Sequence, residues 1–402
     1  MLPERRYRVL YICTHPAQYM SPIFRQMTRE PQLDFQVAYC SLQGAEPGID
    51  PDFGIEVKWD IPLLDGYPWI YVENKSPWPR LNHFFGLVNP GLWKLVSAGG
   101  YDAVVALTGY ACVSFWIALA AAKVHRLPIM FQTDATSLAP RSRSRWKVWA
   151  KKRVLPAIFG LATVAIAPSE ATAEYLQTLG VAKDRVVITP FAVDNQYWVT
   201  RAAQVDRESV RASFGIANGD PVVLFCAKLQ PWKRPQDLLQ AFAQAQVPNA
   251  RLVMAGDGPL RGELEAKARA LGVAPQVIFT GFANQSQLPA LYRSADLMVL
   301  PSEYDPCPVV VCEAMLCGCP VILSDQIRGR AELVRRGETG YFFPCGDVDA
   351  LATLLREVLQ DPERLRALGA AATRRMTTWS PKECVEGHLL AVQRSLEVRA
   401  ER

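Results

Sequence analysis

The sequence predicts an α/β protein of two doubly wound units, each a mostly parallel sheet flanked by helices. Three observations carry that expectation. The length of 402 residues favours two domains over one, at roughly 150 residues per domain. Apolar runs of strand length alternate with helix-patterned stretches, as buried parallel strands and their crossover helices do. These runs fall into two series with a polar segment between them.

The first series opens at residues 7–13 (YRVLYIC), which a polar loop and the helix-like SPIFRQM follow. Residues 102–108 (DAVVALT), 128–132 (PIMFQ), 163–167 (TVAIA) and 185–189 (RVVIT) continue it. The second series comprises 221–227 (PVVLFCA), 250–255 (ARLVMA), 276–280 (QVIFT), 296–300 (DLMVL) and 320–323 (PVIL). Residues 194–219 are polar, carry no strand pattern and read as the linker. The expected domains are therefore 1–198 and 199–380, with a ligand cleft between the two sheets. The tail 381–402 is helical by its spacing of Val385, Leu389 and Val392 and is expected to return to the first domain.

Composition narrows the function classes. With 50% apolar, 10% aromatic and 21% charged residues, the chain is neither disordered nor collagen-like. A net charge of +5 gives no general bias toward nucleic acid, and no nucleic-acid-binding motif is present. Ten irregularly spaced cysteines predict buried, reduced thiols of a cytoplasmic protein. Cys307, Cys312, Cys317 and Cys319 cluster without a histidine and match no zinc signature, so no metal is expected. The N-terminus lacks the apolar stretch of a signal peptide, and the longest apolar run, 110–122, is too short to span a bilayer.

Three stretches carry candidate chemistry. In 301–323 (PSEYDPCPVVVCEAMLCGCPVIL) a strand end gives way to a loop and then a helix, with Asp305 on the loop and Glu313 about a turn into the helix. Ligands of open α/β sheets bind beyond strand ends, where helix starts offer free N–H groups to anions. The competing reading makes Asp305 a helix cap and Glu313 the partner of a surface base. In 227–235 (AKLQPWKRP), Lys228 and Lys233 offer two ammonium groups able to neutralise a diphosphate; a solvated basic loop is the alternative. In 256–259 (GDGP) glycines permit a tight turn and close approach of a ligand, or simply a turn.

In this order, AKLQPWKRP, MAGDGP, VIFTGF, PSEYDPCPVVVCEAM, GCPVILSD and ETGYFF resemble the family 4 retaining glycosyltransferases, with PSEATAEYLQTLG and ITPFAVDNQYW extending the likeness back to about residue 163. The resemblance implies the GT-B architecture of two facing Rossmann-like domains. It implies a sugar transferred from a nucleoside diphosphate to a glycan or lipid-linked acceptor hydroxyl, with retention and without a required cofactor. Lys228 stands for the family's arginine and Lys233 for its lysine, both expected on the diphosphate. Glu313, the second acid of the motif, is expected on the ribose hydroxyls and Asp305, the first, near the donor sugar. The amides of Val309 and Val310 are expected to reach sugar or phosphates, Gly256 to border the donor, and Phe282 to sandwich the nucleobase. The chain departs from the pattern in having Asp rather than Glu at 305 and prolines at 306 and 308, which remove two backbone donors. After the first strand, THPAQYMSP replaces a glycine-rich loop, and Thr133-Asp134 stands where His-Asp is frequent. THPAQY, DPDFG, WDIPLL and PFAVDN are similar to members of bacterial surface-polysaccharide pathways.

His15 and Asp134 are acceptor-side candidates, each weighed against a role in shaping a loop or capping a helix. Residues 141–153 (RSRSRWKVWAKKR) hold seven cations and no acid, and Trp146 and Trp149 interleave Arg141, Arg143, Arg145, Lys151 and Lys152. This reads either as a segment docking on an anionic membrane face or as a solvated helix. The aromatics of 53–93 stack on sugars, cover a lipid carrier or fill the core. Two rival functions remain: a nucleotide-sugar epimerase of related architecture, and a catalytically silent nucleotide-sugar-binding partner.

Overall fold

The computed structural model describes residues 5–50, 55–81, 83–138, 145–306 and 308–401. In chain order the strands are β1 (Tyr7–Cys13), β2 (Leu33–Tyr39), β3 (Gly48–Asp50), β4 (Ile55–Val57), β5 (Trp69–Tyr71), β6 (Ala103–Ala106), β7 (Ile129–Gln132), β8 (Val164–Ala167) and β9 (Val186–Ile188). They continue as β10 (Val222–Cys226), β11 (Arg251–Ala255), β12 (Val277–Gly281), β13 (Leu297–Leu300), β14 (Val321–Ser324) and β15 (Gly340–Phe343). The chain divides into two compact units, one of Met1–Pro47, Pro62–Phe191 and Pro381–Arg402, the other of Gly48–Ile61 and Ala192–Ser380.

The first unit is a seven-stranded sheet in the order β5-β2-β1-β6-β7-β8-β9, parallel at every pairing. The second is six-stranded, β12-β11-β10-β13-β14-β15, and likewise parallel. Both orders run outward from a central strand and reverse beside it, the doubly wound arrangement of Rossmann-like domains. Strand interiors such as Val9–Ile12, Val104–Ala106 and Val222–Phe225 are completely buried, because helices cover both faces and β-branched side chains pack well on a pleated surface. In the second unit one apolar layer gathers Trp198, Tyr292, Val311 and Met315, and another gathers Leu238, Phe242, Leu351 and Leu355.

Five strands lie outside the expectation: β3 and β4 form a separate antiparallel pair, and β2, β5 and β15 join the two main sheets. β2 alternates buried and half-buried residues, with Asp34 and Gln36 breaking its apolar run. β5 is a three-residue edge strand whose side chains are all exposed. β15 is short and starts on a glycine. The polar segment 194–219 is not a linker: it forms the helices Asn195–Ala203 and Arg207–Ser213, with Asp194 and Asp206 accepting from backbone N–H groups at their starts. Residues 48–61, read from sequence as part of the first domain, group with the second unit.

The terminal helix Pro381–Ala400 packs on the helix Ser21–Met27 and on β8 and β9. Its Gly387 lies where a Cβ would approach Ile188 O to 2.7 Å. The next residue, His388, is buried against the Tyr11 ring at 5.5 Å, with neither ring nitrogen hydrogen-bonded. Burial lowers its pKa from 6.5 to about 4. Because the unfolded chain binds this proton more tightly, stability is lost as pH falls from 6.5 toward 4. Replacing His388 by Leu is expected to reduce that acid loss by on the order of 3 kcal/mol, measured as urea midpoints between pH 4 and pH 7.

Candidate active site

In the second sheet the strand order reverses between β10 and β13, so the crevice beyond their carboxyl ends is the natural ligand site. The turns leaving β10 and β11 cross there at backbone distance. Ala227 N donates to Ala255 O at 3.1 Å, Leu229 N to Asp257 O at 2.9 Å, and Leu260 N to Leu229 O at 3.1 Å. Gly256 has φ 143° and Gly258 φ 149°. A Cβ at Gly256 would lie 2.0 Å from Ala227 O, and one at Gly258 2.7 Å from Leu229 O. No side chain fits either place. The close approach that demands the glycines is thus made by the protein's own lysine-bearing loop, and the pair fixes where Lys228 leaves the sheet.

Lys233 ends the short 3-10 turn Pro231–Lys233 and forms an ion pair with Asp305, both largely buried. Glu303 N donates to Trp232 O at 2.9 Å, which holds the loop after β13 against the turn after β10. Arg234, in the left-handed region at φ 52°, reaches Asp237 at 2.6 Å and Glu303 at 3.6 Å. Asp305 is therefore not a helix cap. The cap position of the helix Val309–Leu316 is Pro308, without a side-chain hydrogen bond. Val309 and Val310 form the half-buried first turn, whose N–H groups have no acceptor within the helix. Cys307 lies outside the described residues.

Glu313 is buried rather than paired with a surface base. Its carboxylate accepts from the Tyr292 hydroxyl at 2.8 Å and is hydrogen-bonded by Gln285. Burial pushes its pKa from 4.5 up to about 7 against the pull of both hydrogen bonds. Tyr292 is itself fully buried, with its hydroxyl 3.4 Å from Cys226 Sγ. Sequence reading missed both partners of Glu313, since no local pattern links residues 21 and 28 positions apart. Phe282 directly follows β12, half-buried, and the Trp59 ring meets it edge-on at 6.1 Å.

On the first sheet, His15 follows β1, its Nδ1 2.9 Å from Thr14 Oγ1. Asp134 follows β7, and residues 135–138 are not helical, so it caps no helix. Only β6 separates β1 from β7, so both candidates leave the same edge of that sheet. Of the basic segment, Arg141 and Arg143 lie outside the described residues. Arg145 begins the helix Arg145–Gly160, on which Trp146 is 70% and Trp149 63% exposed. The Arg153 guanidinium lies 5.8 Å from the Trp149 ring. Among the described residues, eight free cysteines are buried and Cys345 is half-buried, and no group of His, Cys, Asp or Glu is placed to hold a metal ion. No described helix is long and apolar enough to cross a membrane.

The raised Glu313 pKa has a definite sign. The native state holds this proton more tightly than the unfolded chain, so the carboxyl costs stability progressively as pH rises from 4.5 to 7. Glu313→Gln is expected to gain on the wild type by on the order of 3 kcal/mol across that window, read from denaturant midpoints at each pH.

Comparison with known proteins matches both halves of the chain. The glycosyl transferase 4-like domain matches residues 24–192 and the glycosyl transferases group 1 domain residues 206–375. The D-inositol 3-phosphate glycosyltransferase of Rhodococcus erythropolis is 34% identical over 200 residues, 48% of this chain and 45% of that protein. The GDP-mannose-dependent alpha-(1-6)-phosphatidylinositol monomannoside mannosyltransferase of Mycolicibacterium smegmatis is 33% identical over 174 residues, 41% of this chain and 45% of that one. The chain thus spans about half the length of the curated relatives it matches. Among solved structures, Anabaena HepE in complex with UDP and glucose shares the fold with a TM-score of 0.72 at 20% identity, covering 96% of this chain and 100% of that one. Two parallel, doubly wound sheets and matches across both halves together assign the chain to the family 4-type glycosyltransferases of GT-B fold.

Proposed function

We propose that the protein is a retaining glycosyltransferase that moves a sugar from a nucleoside diphosphate to a hydroxyl of a glycan or lipid-linked acceptor in surface-polysaccharide or glycolipid synthesis. One observation carries this reading: Lys228, Lys233, Asp305, the open helix start at Val309 and Val310, and Glu313 all belong to the carboxyl edge of the second sheet, around its order reversal. A diphosphate in that crevice faces two ammonium groups and unsatisfied N–H groups, which stabilise the charge that develops as the glycosidic bond breaks. The leaving phosphate oxygen takes the proton of the acceptor hydroxyl as the new bond forms, so charge and atoms balance without an enzyme nucleophile. Asp305 holds Lys233 in place and orients the donor sugar, Glu313 accepts from the ribose hydroxyls, and Phe282 lies against the base. In this reading the second unit takes the donor, and the first, through His15 and Asp134, the acceptor. The compared proteins differ in nucleotide: HepE was solved with UDP, and the mannosyltransferase is GDP-mannose-dependent.

A thermal-shift and turnover screen with UDP-, GDP-, ADP- and TDP-sugars tests this. One donor is expected to stabilise the protein and be turned over, with Lys228→Ala and Glu313→Ala each lowering kcat/KM by about 10²-fold or more. Stabilisation without turnover, with rate appearing only in Asp305→Glu, would identify a silent binding partner, a reading favoured by the engagement of Asp305 with Lys233.

The first unit also supports a membrane-facing role. Between Asn74 and Ser169 the sequence has twelve Lys and Arg against only Asp102 and Asp134, and Asp102 is occupied by Arg5 and the Arg8 N–H. Among the described residues, all eight of the markedly exposed large aromatics, including Trp78 at 66% and Phe85 at 54%, fall between residues 69 and 149. Cations beside exposed aromatic rings suit an anionic lipid interface. The protein is expected to sediment with phosphatidylglycerol vesicles and not with phosphatidylcholine vesicles. Changing Trp146, Trp149, Lys151 and Lys152 to Ala should abolish the binding; unchanged sedimentation sinks the idea.

A further inference from the structure

The short segment Lys58–Asp60 is drawn from the first third of the chain, yet it is fastened to the second unit by side chains of the β12 turn. Asp60 accepts from Ser286 N at 3.2 and 3.3 Å and from the Ser286 hydroxyl. Asp60 N donates to Asn284 Oδ1 at 3.3 Å, and Asn284 Nδ2 donates to Lys58 O at 2.7 Å. Between these anchors Trp59 lays its ring edge-to-face against Phe282. The same turn carries Gln285, buried, whose side chain binds Glu313 and whose carbonyl accepts from the Tyr197 hydroxyl at 3.2 Å.

The turn 282–286 therefore bears the group read as facing the base at one end and the support of the carboxylate read as facing the ribose in its middle. Its outer side is clasped by Lys58–Asp60. A phenyl ring at a strand end swings about two torsions unless something packs on it. A flat indole supplies a rigid backing at small entropic cost, and the charge-assisted hydrogen bonds of Asp60 are stronger than neutral ones. We propose that Lys58–Asp60 is a nucleoside-positioning clasp: Trp59 fixes the Phe282 ring, and Asp60 fixes the turn that places Phe282 and Gln285, so nucleoside affinity and base discrimination of the donor site are set in part by this segment. Trp59 and Asp60 are positioning residues, and the inference rests on the donor site proposed above.

Calorimetric titration of the full chain with UDP, GDP, ADP and TDP, alongside donor kinetics, tests it. The nucleotide that the wild type binds best, with binding lost in Glu313→Ala, is expected to bind about tenfold more weakly to Trp59→Ala and to Asp60→Ala. Trp59→Phe should recover most of the loss. The defect should fall on the donor KM rather than on kcat, and the ratio of affinities for the best and second nucleotide should shrink. Ser286→Ala, which keeps both rings, should give a smaller loss of the same kind. Affinities within twofold of wild type in both Trp59→Ala and Asp60→Ala overturn the clasp while leaving the donor site intact. So does a fall in kcat and melting temperature with unchanged nucleotide affinity. If the wild type binds none of the four nucleotides, the donor site and the clasp fail together.

Discussion

The candidate site depends on a steric constraint between two backbones. Where the turns after β10 and β11 cross, Ala227 O and Leu229 O occupy the space that side chains at Gly256 and Gly258 would need. That crossing sets the position from which Lys228 and Lys233 depart, and Lys233 in turn meets Asp305 from the loop after β13. Three strand ends are thus registered to one another before any ligand arrives. Such preorganisation is what lets fixed charges act on a bound anion without reorganising first.

Burial gives the two predicted acids different roles. Asp305 pairs with a lysine across the sheet reversal, whereas Glu313 is buried and hydrogen-bonded by Tyr292 and Gln285. The first is held as part of an ion pair, and the second has a proton affinity moved toward neutrality. Equal spacing from a common motif therefore does not mean equal chemistry.

What the sequence shows is what local pattern encodes. Apolar runs such as YRVLYIC and PVVLFCA revealed themselves because strands covered on both faces need no polar alternation. β2 hid behind Asp34 and Gln36, and β5 hid because an exposed edge strand of three residues has no burial to record. The helices in 194–219 were signalled only by the capping aspartates Asp194 and Asp206, amid residues of low apolar content. At the site, the lysines, glycines and acids stand in short motifs and were named from them. Gln285, Tyr292, Trp59 and Asp60 were not, because their contacts span from 21 to 226 positions and leave no periodic trace.

The division of the chain into units has a consequence for dissection. The backbone passes from one unit to the other four times, after residues 47, 61, 191 and 380. No single cut therefore yields two complete pieces. A fragment ending at 191 carries away the clasp that belongs to the other unit and forfeits its own terminal helix. Chimaeras that exchange halves with a relative at that joint would inherit a foreign segment against Asn284 and Ser286, and would need 48–61 and 381–402 exchanged with their native partners.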